Sequence, residues 1–503
     1  VYTGAEAGLV LVTADDPGLF SSQNEQDNRW YSRLAKIPTF EPCDSQEAKD
    51  YVKLAFEMSE KFDTPCLIHS VMRVSHCKSV VELGERTENP KVLEKFPRNL
   101  PKYNCTAMYA RVMHARIEEN IKKIADYVET CGINRVEMRD TKMGIICTGV
   151  MYAYIKDVFP NASVLKLGMS YPLPQNMIKD FASKVDKVYV IEELDPVIEE
   201  QVKSMGVDCV GKELFPACYE LLPDRLLDIC LENGILDKDP RTHDVKEVEN
   251  LPGRNPVLCA GCPHRSTYYV LKKHDIACAG DIGCYNLGAQ PPFEAQHTMG
   301  CMGASIGQLH GMSLANLPEN RVCTIGDGTF WHSGLPALAN MVHNNGRGVV
   351  ILMDNDNTAM TGHQDNPATD YRVLRNVEAT KIDIPAVCRA MGVELVKTVN
   401  AFDVNEVEAG LKECMAYDKV SVLITKGECV QFNKFSSTPY TVEADKCIAC
   451  QTCFKCGCPA IMVSDEENPK THKKKCRIDP TLCNGCGICS QVCPVKAIVK
   501  KED

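Results

Sequence analysis

The C-terminal part of the chain contains two cysteine-rich runs with the spacing of iron–sulfur ligands. The second run, residues 483–494, reads C-x2-C-x2-C-x3-C-P, the pattern of bacterial two-cluster ferredoxins. Its first three thiolates are expected to bind one [4Fe–4S] cluster, and the cysteine before proline binds the other. The first run, residues 447–459, differs in having four residues between its third and fourth cysteines.

This two-cluster rule predicts two ligand sets in which one cysteine of each run crosses to the other cluster. The first set is Cys447, Cys450, Cys453 and Cys493. The second set is Cys458, Cys483, Cys486 and Cys489. Cys456 and Cys476 stay outside both sets as bystanders, with Cys456 an alternative to Cys458 as fourth ligand. Zinc also binds thiolates, but it favours paired C-x2-C knuckles, so the interlocked runs indicate iron–sulfur.

A second pattern places glycines and oxygen ligands after two apolar segments in the middle of the chain. The segments 322–325 and 349–353 read as strands of one βαβ unit, and open parallel sheets bind ligands at the carboxyl ends of their strands. The G-D-G turn, followed after 26 residues by an asparagine-containing turn, resembles the thiamine diphosphate fingerprint. The cofactor-binding residues predicted here are Gly326, Asp327, Gly328 and Thr329.

The same two turns predict a magnesium site. Mg²⁺ prefers oxygen ligands and bridges protein carboxylates to phosphates. We expect Asp327 to provide a carboxylate, Asn355 an amide oxygen and Asn357 a backbone carbonyl oxygen. The glycines of the G-D-G turn have no side chain to keep the backbone away from a diphosphate.

Three further stretches are predicted to line the same cofactor site: residues 258–265 (LCAGCPHR), 280–285 (GDIGCY) and 358–364 (TAMTGHQ). Their predicted cofactor-binding residues are Cys262, Gly280, Asp281, Gly283, Cys284, Thr361 and Gly362. His264 and His363 are the candidate catalytic residues. A lone zinc half-site or a tight turn is the alternative interpretation of the C-x2-C pair, and no second zinc pair is evident nearby in sequence.

Composition and patterning place the chain among globular α/β proteins. Its 503 residues carry a net charge of −11 and a hydrophobic fraction of 44%, and no apolar run is long enough to span a membrane. The acidic balance argues against a nucleic-acid surface. Apolar strands alternate with amphipathic helices up to about residue 430, as in parallel-sheet units. Without a visible secretory signal, 28 cysteines indicate reduced thiols and metal ligands rather than disulfides.

Together, the segments LCAGCPHR, GDIGCY, CMGASIG, GDGTFWHSGLPAL and DNDNTAMTGHQ, followed by the cysteine-rich tail, resemble the alpha subunit of the indolepyruvate:ferredoxin oxidoreductase family. This family belongs to the thiamine-diphosphate-dependent 2-oxoacid:ferredoxin oxidoreductases. The resemblance implies transketolase-like parallel-sheet domains and a C-terminal α+β bacterial-type two-cluster ferredoxin domain. The expected domains are 1–84 (the C-terminal part of a pyrimidine-binding-like domain), 103–245 (transketolase C-terminal-like), 250–432 (diphosphate-binding) and 438–503 (ferredoxin).

The resemblance implies an enzyme that oxidatively decarboxylates aryl 2-oxoacids with coenzyme A. The products would be the aryl acyl-CoA and CO2, with electrons passing through two [4Fe–4S] clusters to ferredoxin. Thiamine diphosphate and Mg²⁺ are the other implied cofactors, and a smaller beta subunit is the implied partner in a hetero-oligomer. A cytoplasmic, anaerobic enzyme is expected, without nucleic-acid or membrane partners.

Two other functions compete with this one. The first is a non-oxidative thiamine diphosphate decarboxylase or synthase with an acquired tail, which would have no use for one-electron carriers. The second is an electron-transfer module with a vestigial thiamine site, against which the intact turns around Asp327 and Asn355 argue. The chain begins with Val1 and reads almost at once as a strand, so an N-terminally truncated chain is expected. The glutamate that activates thiamine in the family has no assignable counterpart here.

Overall fold

The computed structural model describes residues 1–86, 98–239, 251, 253, 255–317, 321–369, 379–432 and 438–501. The chain divides into two compact units, residues 1–247 and 248–503. The predicted boundary between residues 245 and 250 lies outside the described residues, as do the last two residues of the predicted ferredoxin domain.

Unit 1, residues 1–247, contains two four-stranded sheets. Its strands are β1 (Val10–Asp15), β2 (Thr39–Phe40), β3 (Cys66–Val71), β4 (Arg135–Glu137), β5 (Asp140–Thr148), β6 (Ala162–Leu167), β7 (Met169–Tyr171) and β8 (Val188–Ile191). The strand orders are β1-β3-β2-β7 and β4-β6-β5-β8, and only β7 and β4 pair antiparallel with their neighbours. The first sheet therefore takes a strand from beyond the segment 1–84 in which it was expected to lie.

The helices of unit 1 cover the apolar faces of these sheets. They are α1 (Arg29–Ala35), α2 (Ser45–Phe62), α3 (Met72–Ser75), α4 (Leu100–Tyr103), α5 (Ala107–Val128), α6 (Met151–Val158), α7 (Gln175–Ala182), α8 (Val197–Ser204) and α9 (Pro223–Glu232). In α2, Tyr51, Ala55 and Met58 are buried at helical spacing, and the side chain of Asp44 accepts a hydrogen bond from the Glu47 N–H.

Unit 2, residues 248–503, is built on a six-stranded parallel sheet of order β10-β9-β11-β12-β14-β13. These strands are β9 (Cys278–Ala279), β10 (Gln296–Thr298), β11 (Val322–Gly326), β12 (Gly348–Asp354), β13 (Leu395–Asn400) and β14 (Val420–Lys426). β11 and β12 are buried throughout, as expected for central strands covered on both faces. The two strands predicted to flank the thiamine motif thus occupy the middle of the sheet.

Helices cover both faces of this sheet. They are α10 (His264–Lys273), α11 (Ala304–Leu314), α12 (Asp327–Thr329), α13 (Leu335–His343), α14 (Ile384–Ala390) and α15 (Val404–Met415). α10 and α15 contribute to the core on one face, while α11, α13 and α14 contribute to the core on the other. A π-helical turn at Phe330–Gly334 joins α12 to α13.

The cysteine-rich tail forms a small α+β substructure at the end of unit 2. Its elements are β15 (Tyr440–Val442), β16 (Ile461–Glu467), β17 (Lys474–Ile478), α16 (Ile488–Val492) and β18 (Ile498–Lys500). β15 pairs with β18, and β16 pairs with β17, both antiparallel. Among the described residues of both units, no helix is long and apolar enough to cross a membrane.

Candidate functional site

The two predicted turns lie side by side because β11 and β12 are parallel neighbours, with Gly326 paired to Met353. A cavity opens at the carboxyl ends of these strands. Its wall contains eight residues named from the sequence: His264, Gly283, Cys284, Gly326, Asp327, Gly328, Thr329 and Thr361. Asn355 and Asn357, the other predicted magnesium ligands, line it too. The sheet therefore gathers most of the predicted cofactor-binding residues into one concave site.

Polar atoms of the three predicted magnesium ligands converge at one end of this cavity. One terminal atom of the Asn355 amide lies 2.7 Å from the carbonyl oxygen of Asn357 and 3.3 Å from Oδ1 of Asp327. If this atom is the amide nitrogen, it donates to both oxygens; if it is the oxygen, three acceptors meet without a proton between them. The second arrangement suits a cation, because carboxylate, amide and carbonyl oxygens are ligands of Mg²⁺. The three residues fit the predicted metal.

The carboxyl group of Asp327 is deeply buried and close to another acid. Burial and the nearby carboxylate of Asp354 raise the pKa of Asp327 to about 8. Its two oxygens accept hydrogen bonds from the Gly328 N–H at 2.8 Å and from Nδ2 of Asn366 at 3.2 Å. Lys426 Nζ pairs with Asp354 at 2.9 Å. A divalent cation at this position would favour the ionised form of Asp327 through direct charge attraction.

Two glycines keep the wall of the cavity open. A Cβ atom on Gly328 would lie 2.2 Å from Oγ1 of Thr358, and one on Gly326 would lie 2.5 Å from the ring of Tyr285. Both distances are far shorter than normal van der Waals contact. The backbone of the G-D-G turn can therefore approach a bound group closely only because it lacks side chains at these two positions.

His264, the first candidate catalytic histidine, is buried in the wall of the cavity at the start of α10. Burial lowers its pKa to about 4, so the imidazole is neutral at physiological pH. The ring packs edge-on against Tyr285, with 6.0 Å between the ring centroids. The Tyr285 hydroxyl donates to the Ile282 carbonyl at 2.6 Å and also contacts Oγ1 of Thr329. A neutral imidazole held in this way can accept or donate one hydrogen bond.

Five residues predicted from the sequence do not line this cavity: Cys262, Gly280, Asp281, Gly362 and His363. Asp281 instead accepts hydrogen bonds from the N–H groups of Gly303 and Ser305 at the beginning of α11. His363 lies 3.4 Å from the Asn357 side chain and packs its ring against Phe432. The sequence pattern alone could not distinguish residues that line the cavity from residues next to it in the chain.

Four cysteines from three separate stretches influence one another's pKa beside the cavity: Cys259, Cys262, Cys284 and Cys429. Burial is the main cause that raises the pKa of Cys284 to about 11, and the thiols of Cys429 and Cys259 raise it further. The Cys262 thiol, whose pKa is about 12 mainly because of burial, is also close to Cys284 and Cys259. The C-x2-C pair therefore has two further thiols near it in space, which the sequence did not indicate. Neither Cys259 nor Cys429 was named as a site residue, since long segments separate these stretches.

We call Cys259, Cys262, Cys284 and Cys429 the cysteine quartet. The backbone supports it from two sides: the Cys262 N–H donates to the Cys259 carbonyl, and the Cys429 N–H donates to the Asn355 carbonyl. Cys284 belongs to the quartet and also lines the cavity at the carboxyl ends of β11 and β12, and Asp327 is among the charges that influence its pKa. Four thiols can hold a tetrahedral zinc ion or a [4Fe–4S] cluster.

The first predicted ligand set of the tail surrounds one small cavity, which all four of its cysteines line. Cys493, the cysteine predicted to cross between the runs, is thereby brought next to the first run, although thirty-four residues lie between it and Cys458, the last cysteine of that run. Cys476, expected to be a bystander, lines the same cavity. Its Sγ lies 3.9 Å from Sγ of Cys447.

The second predicted ligand set is also brought together. Burial and the neighbouring thiols of Cys458 and Cys483 raise the pKa of Cys486 to about 11. The pKa of Cys489 is raised by burial and by the same group of thiols, together with Cys456. Cys456 is almost fully buried in the apolar core of unit 2. It therefore lies beside this ligand set, and the choice between Cys456 and Cys458 stays open.

Unit 1 contains a buried group of charges that the sequence did not suggest. Asp15, Asp27 and His69 offer ligand atoms within 4.8 Å of one another, close enough to hold a metal ion. Nε2 of His69 lies 2.7 Å from Asp15, however, and the guanidinium of Arg29 binds Asp27 through Nε at 2.9 Å. A proton and a guanidinium therefore already provide the positive charge that a cation would bring.

Comparison with known proteins identifies the family. Residues 281–425 match the family described as thiamine pyrophosphate enzyme, C-terminal TPP binding domain, and residues 477–499 match the 4Fe-4S binding domain. Indolepyruvate oxidoreductase subunit IorA of Pyrococcus horikoshii is 37% identical, over 100% of this chain and 83% of that subunit. The chain belongs to the indolepyruvate oxidoreductase subunit IorA family. The IorA subunit of Archaeoglobus fulgidus is 38% identical, over 99% of this chain and 82% of its own length.

A solved structure is also similar to part of the chain. The 2-oxoglutarate:ferredoxin oxidoreductase of Magnetococcus marinus aligns with 38% of this chain and 72% of that chain, at 19% identity and a TM-score of 0.31. A similarity this low supports no statement about the site.

Membership in the IorA family confirms the resemblance, the fold class and the enzyme class predicted from the sequence. The chain is a thiamine-diphosphate-dependent oxidoreductase subunit of the 2-oxoacid class, with [4Fe–4S] centres. The matched segments 281–425 and 477–499 fall inside the predicted diphosphate-binding and ferredoxin domains. The exact domain limits and the individual site residues stay predictions.

Proposed function

We propose that this chain oxidatively decarboxylates aryl 2-oxoacids of the indolepyruvate type with coenzyme A, giving the aryl acyl-CoA and CO2. Ferredoxin receives the electrons through iron–sulfur clusters of the chain. One observation carries the proposal: Cys284 lines the thiamine cavity and also belongs to the cysteine quartet. Electron acceptors next to the thiamine site are useful to an oxidative enzyme, and a non-oxidative decarboxylase or synthase has no use for them.

Thiamine diphosphate would supply the carbanion chemistry at the keto carbon, while the protein binds, orients and shields it. The G-D-G turn would accept the diphosphate, because Gly326 and Gly328 leave room for it. Asp327, Asn355 and the Asn357 carbonyl would hold Mg²⁺ against it. This assignment is supported by the burial of the three residues and by the close approach of the Asn355 amide group to the Asn357 carbonyl and the Asp327 carboxylate.

His264 is the better supported of the two candidate catalytic histidines. It lines the cavity and is neutral, so it can position a substrate oxygen without adding charge to the pocket. His363 is proposed to position Asn357, whose side chain it contacts, and through it the magnesium site. The contacts of each imidazole ring are consistent with the role proposed for it. Replacement of His264 should therefore affect the substrate, whereas replacement of His363 should affect the magnesium site.

We also infer that the cysteine quartet holds an iron–sulfur cluster, in addition to the two of the tail. Contacts within unit 2 link the quartet to the second tail set. Nδ2 of Asn484, next to Cys483, donates to the Ala260 carbonyl at 2.6 Å, and Arg265 Nη1 donates to the Cys456 carbonyl at 2.9 Å. Electrons could therefore pass from the thiamine cavity to the quartet and then to the tail without leaving unit 2. A structural zinc ion is the competing occupant of the quartet.

The chain would work with a smaller beta subunit as a hetero-oligomer, as the subunit name of its relatives suggests. The substrate, coenzyme A and ferredoxin assignments all belong to that assembly. A cytoplasmic location fits an enzyme whose many thiols need reducing conditions.

The test is an assay of the complete enzyme, purified anaerobically and given indolepyruvate, coenzyme A and a viologen dye. Dye reduction that requires coenzyme A supports the proposal, and pyruvate serves as the non-aromatic control substrate. Release of CO2 without dye reduction would identify a non-oxidative decarboxylase instead. Absence of turnover, with full iron content, would favour an electron-transfer module with a vestigial thiamine site.

The magnesium assignment has a separate test in Asp327→Ala. This variant should lose thiamine diphosphate on gel filtration while its iron content stays unchanged, because the clusters have thiolate ligands. Asp356→Asn is the matched control, since Asp356 lies in the same turn but pairs with Lys426 instead. Normal cofactor retention in Asp327→Ala would overturn the assignment.

A further inference from the structure

The first tail site contains five cysteines, one more than a [4Fe–4S] cluster needs. Cys476 lies on β17 and pairs across the hairpin with Val463 of β16, so its backbone is fixed by regular structure. It lines the same cavity as Cys447, Cys450, Cys453 and Cys493. It is half-buried and close to the thiol of Cys453 as well as to that of Cys447.

The distance between two of these sulfurs is informative. Two thiolates bound tetrahedrally to one metal at about 2.3 Å lie roughly 3.8 Å apart. Sγ of Cys476 lies 3.9 Å from Sγ of Cys447. Either sulfur can therefore reach the same iron position. While one of them is bound to the iron, the other lies next to the bound sulfur.

We propose that Cys476 is an exchangeable ligand of the first tail cluster, able to replace Cys447 on the same iron. This inference rests on the proposed function, because an exchange of ligands requires an iron–sulfur cluster at the first tail site. In the exchange, the iron–sulfur bond to Cys447 breaks and one to Cys476 forms. The thiol proton of Cys476 moves to the sulfur of Cys447, so no electron is gained or lost.

Two features of the site favour such an exchange. Cys447 lies in a loop, and its carbonyl oxygen accepts a 3.4 Å hydrogen bond from Nδ2 of Asn468. Asn468 directly follows β16, so the hairpin that carries Cys476 also contacts the loop that carries Cys447. Cys456, the other extra cysteine of the tail, is almost fully buried in the apolar core, and its carbonyl oxygen is held by Arg265. The spare thiol of the first site is therefore the more accessible of the two.

The experiment compares iron and acid-labile sulfide in the complete enzyme, purified anaerobically, for Cys447→Ala, Cys476→Ala and the double variant. Each single variant should keep the wild-type iron content, because one of the two thiols remains. The double variant should lose about four iron and four sulfide atoms per chain, or convert the site to a [3Fe–4S] cluster visible by EPR. Loss of four iron atoms from Cys447→Ala alone would overturn the proposal.

Two controls separate this proposal from its alternatives. Cys450→Ala removes another predicted ligand, which is exposed, and it should lose iron even though Cys476 is present. If Cys450→Ala and the double variant both keep full iron, the site tolerates the loss of any ligand and the proposal is wrong. Alkylation of the folded holoenzyme, mapped by mass spectrometry, should label Cys476 in the wild type and leave it protected in Cys447→Ala. Wild-type protein without tail iron would overturn the proposed function itself.

Discussion

Nη1 of Arg265 donates a 2.9 Å hydrogen bond to the carbonyl oxygen of Cys456. The arginine belongs to α10, which packs against the six-stranded sheet of unit 2, and the cysteine belongs to the tail. The same guanidinium also donates to the carbonyls of Leu258 and Cys259, at the start of the C-x2-C turn. One buried cation thus joins the cysteine quartet to the loop of the second tail set.

Replacement of Arg265 by methionine should therefore damage both stability and the tail. Arg265 is 1% exposed, and the hydrogen bonds described above all go to backbone carbonyl groups. Loss of the guanidinium therefore leaves these buried carbonyl oxygens without a donor. We expect a loss of about 3–5 kcal/mol in the free energy of unfolding, because each hydrogen bond from a charged group contributes about 1.5–3 kcal/mol. Urea unfolding of the full chain, with iron content measured in parallel, checks this.

Arg225→Met is the matched control for this variant. Arg225 also donates to two carbonyls, those of Cys218 and Glu220, but it is only half-buried. Its loss should cost about 1 kcal/mol or less, because water can replace the lost bonds. Equal effects of the two substitutions would contradict a special role for Arg265.

The sequence was most informative where spacing alone determines geometry. The two-cluster rule brings Cys493 beside the first run, and the parallel order of β11 and β12 brings Asp327 and Asn355 together. Both arrangements follow from local patterns whose three-dimensional consequence is fixed.

The sequence could not indicate contacts that depend on distant packing. Cys429 lies far along the chain from Cys284, and only the completed sheet brings β14 and its following turn next to that loop. Asp281 carries the residue type of a cofactor ligand, yet its carboxylate caps α11, which a single sequence does not reveal. The pairing of His69 with Asp15 likewise requires β1 and β3 to be neighbours.

Gly328→Ala should weaken thiamine diphosphate binding without affecting the clusters. The new methyl group would lie 2.2 Å from Oγ1 of Thr358, so it must displace a wall of the cavity. We expect at least a tenfold increase in the dissociation constant, or about 1.4 kcal/mol, because the displaced group lies where the diphosphate is proposed to bind. Isothermal titration of the complete apoenzyme with the cofactor and Mg²⁺ measures this.

Gly307→Ala provides the control for that substitution. Gly307 lies on the exposed side of α11, where an added Cβ meets no atom within 4 Å. Alanine should leave cofactor binding unchanged and raise helix stability by up to about 1 kcal/mol. The proposed diphosphate site would be contradicted if Gly328→Ala bound the cofactor as tightly as Gly307→Ala.

Cys429→Ser should distinguish iron from zinc in the cysteine quartet. If the quartet holds a [4Fe–4S] cluster, the wild-type chain should contain about twelve iron atoms and the variant about eight. Dye reduction should fall at least a hundredfold while thiamine diphosphate stays bound, since the cofactor wall is otherwise intact. One zinc atom and about eight iron atoms in the wild type would instead identify a structural zinc site.

Cys414→Ser serves as the control in this series. Cys414 is a buried cysteine of α15 on the same face of the sheet, and no thiol of the quartet is among the groups that influence its pKa. Its substitution should leave the iron count unchanged, so that any loss in Cys429→Ser reflects a lost ligand. A zinc chelator that removes no activity from the wild type would add support for iron.

The pairing of His69 with acidic side chains predicts a pH dependence of stability in unit 1. Burial opposes the charged imidazole, but Glu41 and Asp15 outweigh it and raise the pKa of His69 to about 9. Because the folded-state pKa lies above the unfolded value of about 6.5, the stabilisation is complete below pH 6.5 and is lost as pH rises through 9. A shift of this size corresponds to roughly 3 kcal/mol. The free energy of unfolding of the wild type minus that of His69→Gln should therefore decrease between pH 6.5 and pH 9.

The difference in unfolding free energy between the wild type and His69→Gln isolates the contribution of His69. This subtraction is needed because other buried groups titrate in the same pH range. Burial raises the pKa of Glu193, which lines the same pocket as His69, to about 7, and this shift affects both proteins. His76→Gln is the matched control, since His76 is exposed and lies outside the group of acids around His69. A flat difference for His69→Gln would show that the imidazole is not charged in the folded protein.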